Sequence, residues 1–384
     1  MQENSNSSTH PPFPPSSEDD QVTWLRLLRS RRVGTATFYR LLNEHGTAKA
    51  ALEALPDVAA KAGVENYSTC SRDVAVKEMT AGRKAGARLV FMGATDYPKR
   101  LCDLPDAPPF FWMRGHTSVL SSPTIAIVGA RNASSLGTRM ARKLASELGE
   151  AGYTIVSGLA RGVDTAAHVG SLKTGGIAVL AGGIETIYPA ENTELAANIL
   201  NSGALISEQP IGLVAQARHF PMRNRLISGL AKAVVVIEAA TRSGSLITAR
   251  NALDQGRDIL VVPGHPMDNR AAGCNHLIRD GATLVRSAED IIEALGPEKI
   301  EPDTGQSALD LAPPKTSRKQ LHQTASLHGE ILTRLGPSPL SEDQLIRDLR
   351  ADSQHISPAL TELEMTGKIA RQAGGLLALA SGRR

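Results

Sequence analysis

Several short stretches of this 384-residue sequence place glycine, hydroxyl side chains and arginine directly after a run of apolar residues. The first is Gly129-Ala130-Arg131-Asn132, followed by Ser134, Ser135 and Gly137. A second holds Ser157-Gly158, Arg161-Gly162, Asp164 and His168. Gly182-Gly183 with Tyr188-Pro189 and then Glu208-Gln209-Pro210 follow. After them come Arg218-His219-Phe220-Pro221-Met222-Arg223-Asn224-Arg225 and Glu238 with Thr241-Arg242-Ser243-Gly244-Ser245. The last is Pro263-Gly264-His265 with Gly273-Cys274-Asn275. Glycine lets a backbone approach an anion, and a helix N-terminus beyond it offers free N–H groups. Ser and Thr add hydroxyl donors, and arginine adds a planar fork matched to phosphate oxygens. Such residues can hold phosphate. A tight strand-to-helix turn also uses glycine and a capping Ser, Thr or Asp for its own sake. Any one loop read alone fits that plainer account; their convergence on one edge favours a phosphate-bearing ligand.

The arginines sharpen the ligand. Arg131, Arg161, Arg218, Arg223, Arg225 and Arg242 fall on this edge, which suits a run of phosphates better than one. Phe220 lies between Arg218 and Arg223, where a ring can stack a base while the backbone is held, or equally well pack into the core. A stacked base must be free of its partner, so a single strand is favoured over a duplex. No GxxxxGK[ST] pattern is present, and the spacing from Gly129 to Gly137 does not fit GxGxxG. With no acidic ribose partner, free nucleotide and NAD are not expected, and no cofactor is assigned. Asp164, Glu208 and Glu238 form no pair suited to acid–base work, so no catalytic residue is assigned and the protein is expected not to be an enzyme.

The elements that must position these loops follow from the apolar pattern. Ile125–Val128, Tyr153–Ser157, Ile177–Leu180, Ala204–Ser207, Ala233–Ala239, Ile259–Val262 and Thr283–Arg286 read as strands, with helical segments between them. Continuous apolar strands alternating with helices predict an α/β fold, a doubly wound parallel sheet covered on both faces. Ligands of such a sheet bind at the carboxyl ends of the strands. This domain spans 118–296. Before it, 1–20 reads as a disordered tail rich in Ser, Asn and Pro, and 21–105 as a compact helical domain. There Val33-Gly34-Thr35 sits between two apolar stretches, as in a helix-hairpin-helix or a plain docking module. After it, 297–320 reads as a proline-containing linker. Residues 321–384 carry helical patterns at Leu327–Leu335, Ser341–Leu349 and Ile356–Thr366 and a hairpin Ile369–Leu379 turning at Gly374-Gly375, which describes a winged helix.

Net charge is +3, which permits nucleic acid without requiring it. Aromatics make up 3% of the chain, so a broad stacking platform is excluded and any aromatic contact must be one of few. Cys70, Cys102 and Cys274 are odd in number and far apart, which argues against a disulfide framework or a zinc site. No apolar run approaches membrane-span length and the start lacks a signal-peptide pattern, so a cytoplasmic protein without membrane contact is expected.

The loop motifs in their order resemble the DprA/Smf family. They are AIVGAR at 126–131, SGLARGVDTAAH at 157–168, YPAEN at 188–192, FPMRNRLISG at 220–229, EAATRSGS at 238–245, and VPG at 262–264 with GCN at 273–275. The resemblance implies a Rossmann-like central domain, an N-terminal sterile-alpha-motif-like (SAM-like) domain and a C-terminal winged helix. It implies a recombination mediator of natural transformation that binds single-stranded DNA, displaces single-strand-binding protein, loads RecA and forms a homodimer. By motif, Arg131 is implied as the principal phosphate-gripping arginine and Phe220 as the base-contacting aromatic, with Arg223, Asn224 and Arg225 completing that motif. Ser157, Gly158, Gly162 and Asp164 are implied as the second pocket loop. The whole expected strand-binding set is Arg131, Ser134, Ser157, Gly158, Gly162, Asp164, Arg218, Phe220, Arg223, Asn224, Arg225, Thr241, Ser243, Gly244, Ser245 and Asn275. Many relatives carry lysine at the positions of Ala190 or Ala217, and Arg218 stands beside the second as the replacement charge. The apolar helix Leu246–Leu253 is the candidate dimer face.

Two other functions compete. A nucleoside-monophosphate phosphoribohydrolase of the lonely-guy type uses a catalytic Glu in a PGGxGTxxE loop, and Thr241–Thr248 has no Glu at that offset. A duplex-DNA regulator would act through the winged helix, whose third helical pattern carries Glu362 and Glu364 and little positive charge.

Overall fold

In the computed structural model, the structure is described for residues 14–296 and, beyond them, for parts of the segment 330–379. The chain divides into two compact units, Met1–Glu298 and Lys299–Arg384.

The first unit begins with α1 (Glu18–Arg29). Ser17 Oγ accepts the Asp20 N–H at 3.1 Å and the Asp20 carboxylate accepts the Ser17 N–H at 3.2 Å, a reciprocal cap. Glu18, Asp19 and Asp20 occupy the first turn, where the positive end of the helix dipole favours carboxylates. The acidic triplet assigned to the tail is therefore part of a helix; residues 1–13 lie outside the described residues. α2 (Thr35–His45), α3 (Ala48–Lys61) and α4 (Arg72–Lys84) follow, the last two capped by Thr47 and Ser71. Their apolar faces bury Leu25, Leu27, Phe38, Leu41 and Leu55, and Trp24 meets Phe38 and Phe91 edge-on at 5.2 and 5.9 Å.

Phe91 ends β1 (Arg88–Phe91), a strand within the stretch expected to be helical. After α5 (Lys99–Cys102), β2 (Phe110–Gly115) follows Pro108-Pro109 and pairs antiparallel with β1. Phe110, Phe111, Trp112 and Met113 are all buried, so no alternation marked β2 as a strand. Trp112 Nε1 donates to Glu78 at 3.1 Å, and Glu78 pairs with Arg29 at 2.9 Å, which ties α4 and α1 to the strand.

All the parallel strands expected from the sequence are present: β3 (Thr124–Gly129), β4 (Thr154–Ser157), β5 (Gly176–Val179), β6 (Ala204–Ser207), β7 (Ala233–Ile237), β8 (Asp258–Val261) and β9 (Thr283–Leu284). With β1 and β2 they form one sheet in the order β1-β2-β6-β5-β4-β3-β7-β8-β9, parallel from β6 to β9. Alternate residues feed opposite faces. Ile125 and Ile127 join the core shared with Leu144 and Leu148 of α6 (Ser135–Glu150), while Ala126 and Val128 join the core shared with Leu226 and Ile227 of α9 (His219–Leu230). α7 (Val163–Ser171) and α12 (Ala288–Leu295) lie on the α6 side, and α8 (Thr193–Ile199), α10 (Ser245–Asp254) and α11 (Ala272–Arg279) complete the unit. The second core also holds Leu25, Phe38 and Phe110, so the N-terminal helices and the sheet share one apolar interior.

The order fixes where a ligand can enter. The chain steps outward from β3 through β4, β5 and β6, then returns as β7 on the other side of β3. Loops leaving β3 and β7 therefore diverge, and a crevice opens between them.

In the second unit, β10 (Leu340–Ser341), β11 (Ile369–Gln372) and β12 (Leu376–Leu379) form an antiparallel sheet in the order β10-β12-β11, and a helix spans Glu342–Leu349. Ile331, Leu345, Ile356, Leu360 and Leu377 make its core. The hairpin expected at 369–379 is present; its Gly374-Gly375 turn and the linker 297–320 lie outside the described residues. Among the described residues, no helix is long and apolar enough to cross a membrane.

Candidate nucleic-acid interface

The crevice at the β3–β7 switch point is an open cleft of about 820 Å³. Arg131 and Asn132 enter it from the loop after β3, and Arg242, Ser243 and Gly244 from the loop after β7. Phe220, Arg223 and Asn224 come from the first turns of α9, Ser245 and Thr248 from α10, Tyr188 from the loop after β5, and Arg270 from the loop after β8. Among the described residues, Asp164 is the lone carboxylate lining it. Arg131, Asp164, Phe220, Arg223, Asn224, Ser243, Gly244 and Ser245, expected together, thus face one cavity.

Arg131 is exposed and makes no hydrogen bond or ion pair among the described residues. Its guanidinium lies over the Phe220 ring, 5.0 Å from the centroid, an attraction to the ring quadrupole that orients the side chain without neutralising it. The backbone beneath it is pinned. Gly162 has φ +76, and a Cβ there would stand 2.3 Å from Ala130 O and 2.6 Å from Arg131 O, so only glycine lets α7 press against this loop. Val163 N–H then donates to Ala130 O at 3.2 Å.

Arg223 is buried and works from below. Its Nη1 donates to Val179 O at 2.8 Å, its Cζ lies 6.0 Å from the Phe220 centroid, and a Cβ on Gly158 would collide with Nη1 at 1.8 Å. Burial pulls its pKa down to about 10, against the opposing field of Asp164. Asp164 accepts the N–H groups of Gly158 and Ala160 at 3.1 and 3.4 Å, and burial raises its pKa although Arg223 pulls the other way. His168 lies behind them, fully buried, its pKa driven down to about 3 by desolvation and by Arg223. A neutral imidazole therefore stands there at physiological pH.

Other expected residues build the rim without facing the cavity. Ser134 caps α6, accepting Gly137 N–H at 3.0 Å, and gives both its N–H (2.7 Å) and its hydroxyl to the Glu238 carboxylate. That carboxylate occupies the anion position at the α6 N-terminus, where a dinucleotide phosphate would sit in a G-x-G-x-x-G fold. Ser157 is buried and donates to Ile127 O at 2.7 Å. Arg225 pairs with buried Glu208 and with Asp106 at 3.3 Å, which turns it away from the cleft. Arg218 donates to His219 Nε2 at 3.2 Å and does not line the cleft, whereas Ala215 and Ala217 do. Thr241 is exposed on the loop after β7. Asn275 holds the Gly264 backbone through two bonds of 3.1 and 3.3 Å, bracing the loop that carries Arg270. Arg161, also read as an edge arginine, pairs with Glu191 at 2.8 Å.

The expected strand-binding set leaves out Tyr188 and Arg270, both of which line the cleft. Tyr188 was visible as the residue before Pro189, but a lone tyrosine carries no charge signal. Arg270 sits in a polar loop without a glycine-hydroxyl signature and pairs with Asp268 at 3.0 Å.

Comparison with known proteins identifies the family. The family model described as DNA recombination-mediator protein A matches residues 88–296, covering β1 through α12 and every loop of the cleft. The chain belongs to the DprA family. Models of a DprA-like N-terminal HHH domain and a DprA winged helix domain match residues 18–81 and 312–375. The chain is 39% identical over 287 residues to Protein Smf of Escherichia coli, an alignment spanning 74% of this chain and 75% of that one. It is 42% identical over 226 residues to DNA processing protein DprA of Bacillus subtilis, spanning 58% and 76%. The X-ray structure of DprA from Streptococcus pneumoniae superposes with TM-score 0.60 at 32% identity, covering 72% of this chain and 97% of that one. DprA from Helicobacter pylori, whose structure describes a single-stranded DNA binding mode, superposes with TM-score 0.51 at 28% identity, covering 54% and 95%.

Proposed function

We propose that this chain holds single-stranded DNA in the β3–β7 cleft and serves, without catalysis, as a recombination mediator in natural transformation. The observation that carries the reading is the convergence of Arg131, Arg223, Arg242 and Arg270 on one cavity lined by a single carboxylate, with a phenylalanine between two of the guanidiniums. Arg131 and Arg242 have no carboxylate partner among the described residues, so their charge is available to phosphate oxygens. Ser243, Gly244 and Ser245 open α10 into the same cavity and add donors at a helix N-terminus. With Arg218 turned to His219, Arg242 and Arg270 supply the second phosphate contact in place of a lysine at Ala190 or Ala217. The carboxylates support a binding role: Glu238 is engaged by Ser134, and Asp164 by two backbone N–H groups. The DNA binding mode described for the Helicobacter pylori relative supports the ligand.

Displacement of single-strand-binding protein, delivery of the strand to RecA, homodimerisation and a cytoplasmic site of action belong to the same proposal. The deciding experiment is titration of wild type with single-stranded and duplex oligonucleotides of equal length. The single strand is expected to bind and the duplex to compete poorly. Equal affinity for both would remove the need for an unpaired base and sink the reading.

A further inference from the structure

We infer that Tyr188 is the platform on which a base of the bound strand stacks, a role that rests on the single-strand reading above and adds to it the residue that senses the base. The chain has few aromatic residues, six Phe, five Tyr and two Trp. Among the described ones Tyr188 alone is exposed, at 52% of its surface, and it lines the cleft. The exposure is built into the fold. On one side Thr186 N–H donates to Gly183 O at 2.9 Å; on the other Pro189 is buried and Asn192 N–H donates to Pro189 O at 3.0 Å. Asn192 is itself buried and donates to Leu159 O at 2.9 Å. A loop anchored at both ends thus presents one ring to solvent.

Phe220 explains what that ring is for. It is half-buried, with the Arg131 guanidinium over its face and the Tyr188 ring 5.5 Å away at 58°. Phe220 is therefore occupied in holding Arg131 and propping Tyr188, and Tyr188 keeps a ring open to a base. Arg131 and Tyr188 flank the same phenylalanine, so one nucleotide can place its phosphate on the guanidinium and its base on the phenol ring. A base within a duplex has no free face to offer, so this contact discriminates strand from duplex where phosphate contacts cannot.

The test compares a thymidine oligonucleotide with an abasic oligonucleotide of equal length and charge. Trp24 and Trp112 are buried, so Tyr188→Trp adds a fluorophore that reports the cleft. Its emission is expected to be quenched by the thymidine strand and not by the abasic one. Tyr188→Ala is expected to weaken thymidine-strand binding roughly 5- to 150-fold, the range of a lost base–aromatic stack. It should leave abasic binding and the salt slope unchanged, and Tyr188→Phe should bind as wild type. Wild-type affinity for thymidine in Tyr188→Ala, or an equal loss for both strands, would overturn the inference while an Arg131-dependent affinity left the single-strand reading standing. Failure of wild type to bind either oligonucleotide would overturn both.

Discussion

Replacing Arg131 by alanine removes an exposed, unpaired guanidinium from the cleft while leaving the pinned loop beneath it in place. On a single strand each neutralised phosphate contributes about −0.7 to the slope of log K against log salt. From roughly 50 mM to roughly 200 mM salt, one phosphate contact therefore costs about 2.6-fold in affinity. Arg131→Ala is expected to bind more weakly than wild type at low salt, and the ratio of the two Kd values should shrink by about 2.6-fold across that range. The contact with Phe220 at 5.0 Å acts in the free protein, so its loss changes preorganisation and not the count of released ions. Arg131→Lys keeps the charge and loses the planar fork; it should keep the wild-type slope at lower affinity. Arg139, exposed on α6 and outside the cleft, is the control whose removal should change neither quantity. Anisotropy titrations at four salt concentrations read both slope and affinity. Parallel lines for wild type and Arg131→Ala would show that Arg131 neutralises no phosphate, and the cleft would lose its principal argument.

Three further outcomes follow from the same geometry. Glu238→Ala strips the acceptor from Ser134 at the α6 N-terminus and should cost about 1–3 kcal/mol in urea unfolding. Glu238 has φ +52, so Glu238→Gly should recover about 1 kcal/mol of that loss; equal midpoints for the two variants would refute the strain. The pKa of His168 is held at about 3 against an ordinary 6.5, so the unfolded chain binds the extra proton between those values. Stability from this group is present above pH 6.5 and falls as pH drops, by about 2 kcal/mol at pH 5. Wild type should lose that much relative to His168→Gln between pH 7 and pH 5. Asp164, raised by burial, acts with the opposite sign in both proteins and cancels; identical pH slopes would refute the assignment. A chain ending at Glu298 retains every cleft residue and should bind single strands as the full chain does in a gel shift. Loss of binding would transfer the grip to the winged helix.

The parallel sheet was legible because most of its strands are short, nearly continuous apolar runs alternating with helical segments, the pattern of a sheet buried on both faces. β1 and β2 were not, and the reason is local. β1 is four residues long with Arg88 exposed at its start, and the buried Phe110–Met113 run follows directly on Pro108-Pro109 and shows no alternation. β2 pairs antiparallel with β1 and with β6, and the partner β6 is distant in sequence, which no local period records. The boundary at α1 was misplaced for a related reason: the Ser, Asn and Pro content of residues 1–20 suggested a tail through Asp20, while Ser17 and Asp20 form a reciprocal cap that starts a helix at Glu18.

At the site, the sequence located the edge but did not separate residues that face the ligand from residues that hold the edge together. Both kinds have the same composition, because a cap, a close backbone approach and a phosphate contact all use Ser, Gly and Arg. The structure divides them by partner. Ser134, Ser157 and Arg225 spend their hydrogen-bonding capacity inside the protein, on Glu238, Ile127 and Glu208. Arg131 and Arg242 do not spend theirs among the described residues, and Tyr188 leaves its ring in water. An internal carboxylate at the α6 N-terminus gives this division a functional consequence. It fills the position a dinucleotide phosphate would take, so under the proposed function the strand takes the open cleft beside it, where exposed guanidiniums and an aromatic ring suit an extended backbone and an unpaired base.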